Sequence, residues 1–268
     1  MIKIKQAIKT KDLLITRNSS AENHEKLSHS HCHDDFEILY ITEGEGRCII
    51  EGSAFDIRPN TLILIKPLEY HHVELFSNTP YDRYVIHFKE TCLIEECQNI
   101  MHAVCNDHEN GCRYYTSQDI TENIVSAFDK LFFSESLVDE DKIIYTKIIL
   151  SELIFFIARL KGNRIERDEE ELGTKLVRYL NDHLTKELSL DKLAKRFFVS
   201  KYYLCRVFKK HNGVSIHGYI NQKRVMYAKQ LIESGETASG AAYRVGFGDY
   251  SAFYRAYVKI IGKSPTSS

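Results

Sequence analysis

The stretch AAYRVGFGDYSAFYRAYVKIIGKSP, residues 241–265, decides how the C-terminal part of the chain folds. It reads as one amphipathic helix cut in two at Gly246-Phe247-Gly248. It resumes at Asp249 with Tyr250, Tyr254 and Arg255 facing outward and Phe253, Tyr257 and Ile260 facing inward. The glycines permit a sharp turn that would strain other residues, and Asp249 suits a helix N-cap. The segment is therefore helix, turn, helix.

The same pattern stands earlier, in SLDKLAKRFFVSKYYLCRVFKKHNG, residues 189–213. Leu190, Leu193, Ala194 and Phe197 form one apolar stripe and Leu204, Val207 and Phe208 a second. Ser189 and Ser200 are placed as N-caps, and Asp191 suits the positive end of the helix dipole. Between the two units runs a helix of about 20 residues, buried along Ile216, Tyr219, Ile220, Ala228, Leu231 and Ile232 and ending near Ser234-Gly235. At 1.5 Å per residue such a connector spans about 30 Å, close to the ~34 Å of one duplex turn. Two helices held so far apart suit successive major grooves on one side of DNA.

The charge distribution agrees with that reading. Residues 1–173 carry 19 Lys and Arg against 31 Asp and Glu, a net of −12; residues 174–268 carry 17 against 6, a net of +11. A cationic module beside an acidic one is the footprint of a polyanion binder.

These C-terminal residues resemble the AraC family of bacterial transcription regulators. The resemblance covers about the last 85 residues and rests on Leu193-Ala194, Ser200, Leu204, Arg206, Phe208-Lys209-Lys210, Gly213, Arg224, Val245-Gly246-Phe247, Asp249, Ser251, Phe253 and Pro265, in the family's order and spacing. It implies that both units bind double-stranded DNA. It places base contacts at Tyr202, Cys205 and Arg206 in the first unit and at Tyr250, Ser251, Tyr254 and Arg255 in the second. Arginine grips guanine O6 and N7 with two bonds, whereas the Cys205 thiol is a weak donor. Ser200, Lys201, Lys209, Lys210 and Lys259 are assigned to phosphates, which set affinity without reading sequence. Departures fall in the second unit. Ala238 and Ala241 replace larger apolar residues, Gly240 stands at a usually acidic position, and Tyr257 and Val258 replace Phe and Lys. Smaller side chains and a helical glycine predict a looser second unit.

The acidic half alternates short β-rich runs with turn residues, as antiparallel sandwiches and barrels do. His31, His33 and Glu37 share odd parity, so on extended backbone they point to one face, and His71 or His72 after Pro67 can close on them. His31 to Gly44 satisfies the cupin pattern H-x-H-x-x-x-E-x-x-x-x-x-x-G. In cupin enzymes such residues hold a metal, and this donor set suits a divalent transition metal. Regulators resembling this chain keep the same residues in a jelly-roll effector pocket without catalysis. The alternative is a polar pocket or cross-strand hydrogen bonds. His24 and His29, in the preceding polar segment, carry no separate signal. Cys92, Cys97, His102, Cys105, His108 and Cys112 allow a zinc or redox site, but their spacing matches no compact template, and buried structural thiols are the default.

Two helices are predicted at 120–133 and 142–160. In the latter, Ile149, Leu153, Phe156 and Leu160 form a seam at 4, 3 and 4 spacing, assigned to a homodimer interface on the family resemblance. The expected architecture is α+β. It has an N-terminal cupin or jelly-roll-like barrel with a helical dimerisation segment (1–161), a linker (162–173), and an all-α domain with two helix-turn-helix units (174–268).

With 268 residues and 43% hydrophobic content, the chain is long enough for two cores. Its most apolar run, 143–158, is interrupted by Lys147 and Glu152, which excludes a membrane span and predicts a cytoplasmic protein. Seven cysteines in a chain this long fit a reducing compartment. The expectation is a non-enzymatic transcription regulator, switched by a small-molecule effector in the barrel and working with RNA polymerase. Rival readings are a cupin metalloenzyme with an accessory basic domain and a ligand-independent dimeric activator.

Overall fold

The computed structural model describes residues 3–20, 30–76, 80–106, 113–160 and 171–266. Residues 24 and 29, the thiol at 112, the imidazole at 108 and most of the expected linker lie outside them.

The N-terminal part is built from two antiparallel sheets. The larger runs β1 (Lys3–Lys9), β2 (Leu13–Ser20), β8 (Tyr81–Phe88), β3 (Phe36–Glu43), β6 (Thr61–Ile65) and β9 (Tyr114–Tyr115), in that order across the sheet. The smaller places β4 (Gly46–Ile50) between β5 (Ser53–Ile57) and β7 (His71–Leu75). Strand parity divides the larger sheet's side chains between two cores. The even-numbered Ile38, Tyr40, Leu62, Leu64, Tyr84 and Ile86 face a helical layer, while the odd-numbered Leu39, Ile41, Ile63, Ile65 and Val85 face the smaller sheet. Two buried faces explain why β3 and β6 read as nearly continuous apolar runs.

The helical layer consists of α1 (Glu95–Asn106), α2 (Glu122–Phe133) and α3 (Asp139–Ile157). Here the sequence assignment of the seam must be corrected. Ile149 and Leu153 are 6% and 0% exposed, packed into the core between the helices and the larger sheet, with Phe156 and Leu160 against it. The 4-3-4 spacing was that of an intradomain face, because the even face of the larger sheet needs a cover. The exposed apolar side chains at the end of α2 and over the first half of α3 are instead Phe133, Val138, Ile143, Ile144 and Ile148.

The C-terminal part is all helical: α4 (Leu172–Asp182), α5 (Leu190–Arg196), α6 (Lys201–Asn212), α7 (Ile216–Glu233), α8 (Ala238–Arg244) and α9 (Tyr250–Ile261). Since α4 starts at Leu172, helix begins two residues before the expected boundary. The five helices from α5 to α9 are each capped from their own sequence. Ser189, Ser200, Ser215, Thr237 and Asp249 accept from the backbone N–H three residues on. Gly246 is required where it stands: φ is +95°, and a Cβ there would lie 2.6 Å from the carbonyl oxygen of Thr185. Gly248 has open space and no positive φ, so Gly246 alone makes the turn. No helix of the described residues is long and apolar enough to cross a membrane.

Candidate functional site

The first candidate surface is carried by α6 and α9. In α6, burial of Leu204 and Phe208 turns Tyr202, Arg206, Lys209 and Lys210 to solvent, Tyr202 being 78% exposed. Cys205 is half-buried beneath them, and the Arg206 guanidinium lies 5.8 Å from the Tyr203 ring centre. Lys201 pairs on the surface with Asp191 at 2.7 Å, and the hydroxyl of Ser200 is occupied as the cap of α6. In α9, burial of Phe253 and Tyr257 leaves Tyr250, Ser251, Tyr254, Arg255 and Lys259 exposed. Between them, the 18 residues of α7 span about 27 Å.

One residue fixes the geometry of both units. Arg224, on α7, donates through Nε to the carbonyl of Leu184, through one terminal nitrogen to Gly246 and through the other to Lys186. It ties the α4–α5 connection to the turn that opens α9. Its place was quoted in the resemblance, but nothing in the local sequence announced three carbonyl partners.

The second candidate site lies at one end of the space between the sheets. Glu37 on β3, His71 on β7 and His87 on β8 are odd-numbered like Leu39, Val73 and Val85, and so project into that space; Glu37 and His87 are direct cross-strand partners. His33 enters from the segment before β3. Glu37 Oε2 lies 3.0 Å from His33 Nε2, 3.1 Å from His71 Nε2 and 4.0 Å from His87 Nε2. His31 bridges to His71 through the backbone, and its ring lies 4.5 Å from that of His71. His31, His33 and Glu37 therefore converge with His71, whereas His72 points the opposite way, hydrogen-bonded to Ser30 at 2.8 Å. Adjacent strand residues cannot share a face. His87 was missed because its place depends on the β3–β8 register, which no local pattern reveals.

The carboxylate and imidazoles of this cluster shift one another. Burial alone would raise the Glu37 carboxyl, but His33 and His71 beside it and the charge of His71 and His87 hold it well below the usual carboxylate range. Burial would lower His71, yet the Glu37 carboxylate raises it. At His87 burial prevails and its pKa is lowered.

Between the two candidate sites lies an ionic contact. Glu51, at the turn between β4 and β5, reaches into the helical domain. Its carboxylate accepts from the backbone N–H of Tyr70 at 2.6 Å, from Asn181 at 3.0 Å and from the Tyr219 hydroxyl, and pairs with Lys223 of α7 at 2.7 Å. Asp34 pairs with Lys229 of α7 at 2.7 Å and with Lys89 at 2.6 Å, which holds it ionised against burial. Cys32 and Tyr70 complete a core with Leu176, Leu204, Phe208 and Tyr219. The opposite charges of the two halves thus also bind them to each other.

The cysteine cluster does not converge on a ligand set among the described residues. Cys97 and Cys105 are buried in the helical layer, where desolvation raises both thiols, and His102 pairs with Glu90. A separate open cleft of about 460 Å³ is lined by Arg47, Asp56, Arg58 and Phe76, at the end of the β4–β7 ladder away from His71.

Two family models match the chain. Residues 19–133 match the AraC-like ligand binding domain, and residues 193–267 match a helix-turn-helix domain. Among curated relatives, the transcriptional activator RhaS of Escherichia fergusonii is 23% identical over 239 residues, covering 88% of this chain and 85% of its own. The uncharacterised HTH-type regulator YbfI of Bacillus subtilis is 24% identical over 234 residues, covering 83% and 80%. Among solved structures, an apo single-residue variant of ToxT from Vibrio cholerae is 15% identical with a TM-score of 0.45, covering 96% of this chain and 97% of its own.

Proposed function

The chain belongs to the AraC family of transcription regulators, joining an AraC-like ligand-binding domain to a helix-turn-helix DNA-binding domain, and from that premise we propose that it reads a two-part DNA site under the control of an effector. The observation that carries this reading is the pair of capped helices at either end of α7, each presenting aromatic side chains and an arginine to solvent over a buried apolar face.

Arg206, Tyr202 and the half-buried Cys205 read one half-site; Arg255, Tyr250, Ser251 and Tyr254 read the other. Lys201, Lys209, Lys210, Lys259 and the Ser200 end of α6 hold phosphates. We divide the chain into a sensor over 1–161 and a reader that begins with α4 at Leu172. An effector bound by the N-terminal domain changes how that domain grips α7, and so how the two readers are presented; a coupling of about 1–3 kcal/mol suffices. The name of the RhaS relative, a transcriptional activator, supports activation; RNA polymerase is the partner we propose for it. The exposed apolar side chains Phe133, Val138, Ile143, Ile144 and Ile148 are the ones offered to a second copy in a homodimer.

Selection of bound duplexes from a random pool tests the DNA reading. Two recognised segments about one helical turn apart are expected, with a steep salt dependence. Enrichment of a single segment, or of none, overturns it.

A further inference from the structure

The last turn of α6 carries His211 into the contact between the two halves of the chain. Its imidazole lies in a slot between two glycines. A Cβ on Gly52, at the turn between β4 and β5, would meet Nε2 at 2.4 Å; a Cβ on Gly173, in the first turn of α4, would meet Cδ2 at 2.5 Å and Nδ1 at 2.6 Å. Around the slot, the end of α6 is fastened to the β domain. Ser30 Oγ donates to the carbonyl of Asn212 at 2.8 Å, and Glu51, next to Gly52, holds Lys223 and the Tyr219 hydroxyl. Phe208 and Leu204, one and two turns back along α6, pack with Cys32 and Tyr70 of the β domain.

The slot suits a neutral ring and not a charged one. His211 Nε2 is buried and makes no hydrogen bond. A neutral imidazole can leave that nitrogen as a bare lone pair with its single N–H on Nδ1, whereas an imidazolium carries an N–H on both. Protonation would therefore bury both a charge and a donor without an acceptor. The charged groups along the packed elements are Glu51 on the turn, Glu171 and Lys175 at the start of α4, and the exposed Lys209 and Lys210 on α6 itself, with His72 beyond Ser30. Glu51 is taken up by Lys223. Burial lowers the His211 pKa below its ordinary value, and Glu171, which favours the charged ring, only partly offsets it.

We propose that His211 makes the docking of the first reader on the β domain depend on pH: neutral, the ring fills the slot between Gly52 and Gly173; protonated, it leaves the slot and the end of α6 separates from the β domain. Because the docked ring takes up a proton less readily than the free one, docking is strongest above the ordinary imidazole value of about 6.5 and weakens as pH falls below it, by at most about tenfold per pH unit for one proton. Carboxylates titrate about two units lower, outside that window. Docking involves only the two halves of this chain; the reading of α6 as a DNA reader gives it a consequence but not its basis.

The test uses the full chain without DNA. In nitrogen-15 spectra of the imidazoles, His211, identified by its absence from His211→Gln, should titrate below about 6.5. Between about pH 7.5 and about pH 5.5, amide exchange corrected for its intrinsic rate should rise about fivefold around Tyr70 and Glu51 and along α6, with α8 and α9 unchanged. In His211→Gln that rise should vanish. Gly173 has no positive φ, so Gly173→Ala strains no backbone there, and its methyl would take the place of the ring. Exchange in that variant should already be high at about pH 7.5 and gain nothing in acid, and His211 should titrate near 6.5 again. A His211 that titrates at or above about 6.5 in the unaltered chain, or a rise that survives His211→Gln, overturns the proposal. So does a Gly173→Ala variant that exchanges like the unaltered chain, and this variant decides alone if His211→Gln unfolds. None of these readouts bears on DNA reading, which the duplex selection decides separately.

Discussion

The first reading unit shares its core with the β domain, whereas the second closes a core of its own. Leu204 and Phe208 of α6 pack in one cluster with Cys32 and Tyr70 from the N-terminal part, and Gly52 lies so close to His211 that a Cβ there would meet the imidazole at 2.4 Å. Phe253 and Tyr257 of α9 pack in a separate cluster with Val225 and Ala228 of α7, Ala241, Ala242 and Val245 at α8, and Phe247 of the turn. A sensor that acts by contact therefore addresses the first reader directly and the second through α7.

The sharpest way to break that comparison is to empty each core. Phe253→Ala should cost about 3–5 kcal/mol, the usual range for a buried phenylalanine. Amide exchange should rise in α8 and α9 while the β sheets stay protected. Phe208→Ala should cost as much but also loosen the interdomain contact, raising exchange around Tyr70 and Glu51. If Phe253→Ala spread to the β domain, the second core would not be separate.

Next in size is Lys223→Ala. Its side chain is 6% exposed and that of Glu51 13%, so the variant leaves a carboxylate among groups that exclude water. Breaking such a pair on one side costs about 3 kcal/mol or more. Adding Glu51→Ala should recover part of that loss, as a thermal or urea melt would record. Equal melts for single and double variants would mean the pair is solvated in practice.

Arg206→Ala and Arg255→Ala follow. Each should lower discrimination at its own half-site by about 1–3 kcal/mol, measured as competition between the selected duplex and one altered in that half. Because the first reader is held against the sensor, the Arg206 effect should depend on effector more than the Arg255 effect. Retained preference in both variants would remove these arginines from the base contacts.

The limits of sequence reading follow the range of the interactions. Ser200 and Asp249 were legible as caps because a cap needs only three residues of context. His31, His33 and Glu37 were legible because period two puts them on one face, but choosing His71 over His72 took the register of β4 with β7, and finding His87 took that of β3 with β8. Along α3 the period was read correctly and the covering surface was not, since an apolar stripe does not say whether a sheet or a second copy lies over it. Glu51 gave no signal. Its partners Asn181, Tyr219 and Lys223 stand more than 100 residues away, and the charge asymmetry that pointed to DNA also serves this internal pairing.

The smallest expected effect bears on whether the second unit is loose by design of its sequence. Gly240 lies in the first turn of α8, where alanine is worth up to about 1 kcal/mol over glycine. A Cβ there would meet Glu236 Oε1 at 2.7 Å and the capping Thr237 hydroxyl at 3.0 Å. The first is the far end of a flexible side chain whose pairing with Arg244 is on the surface and worth about 1 kcal/mol at most. The second is the acceptor of the N-cap and must give only slightly. Gly240→Ala should therefore stabilise the second unit by less than about 1 kcal/mol, read as slower amide exchange in α8 with α5 and α6 unchanged. A destabilised α8 would mean that the cap cannot yield, and that glycine is kept there for space and not at the expense of helix stability.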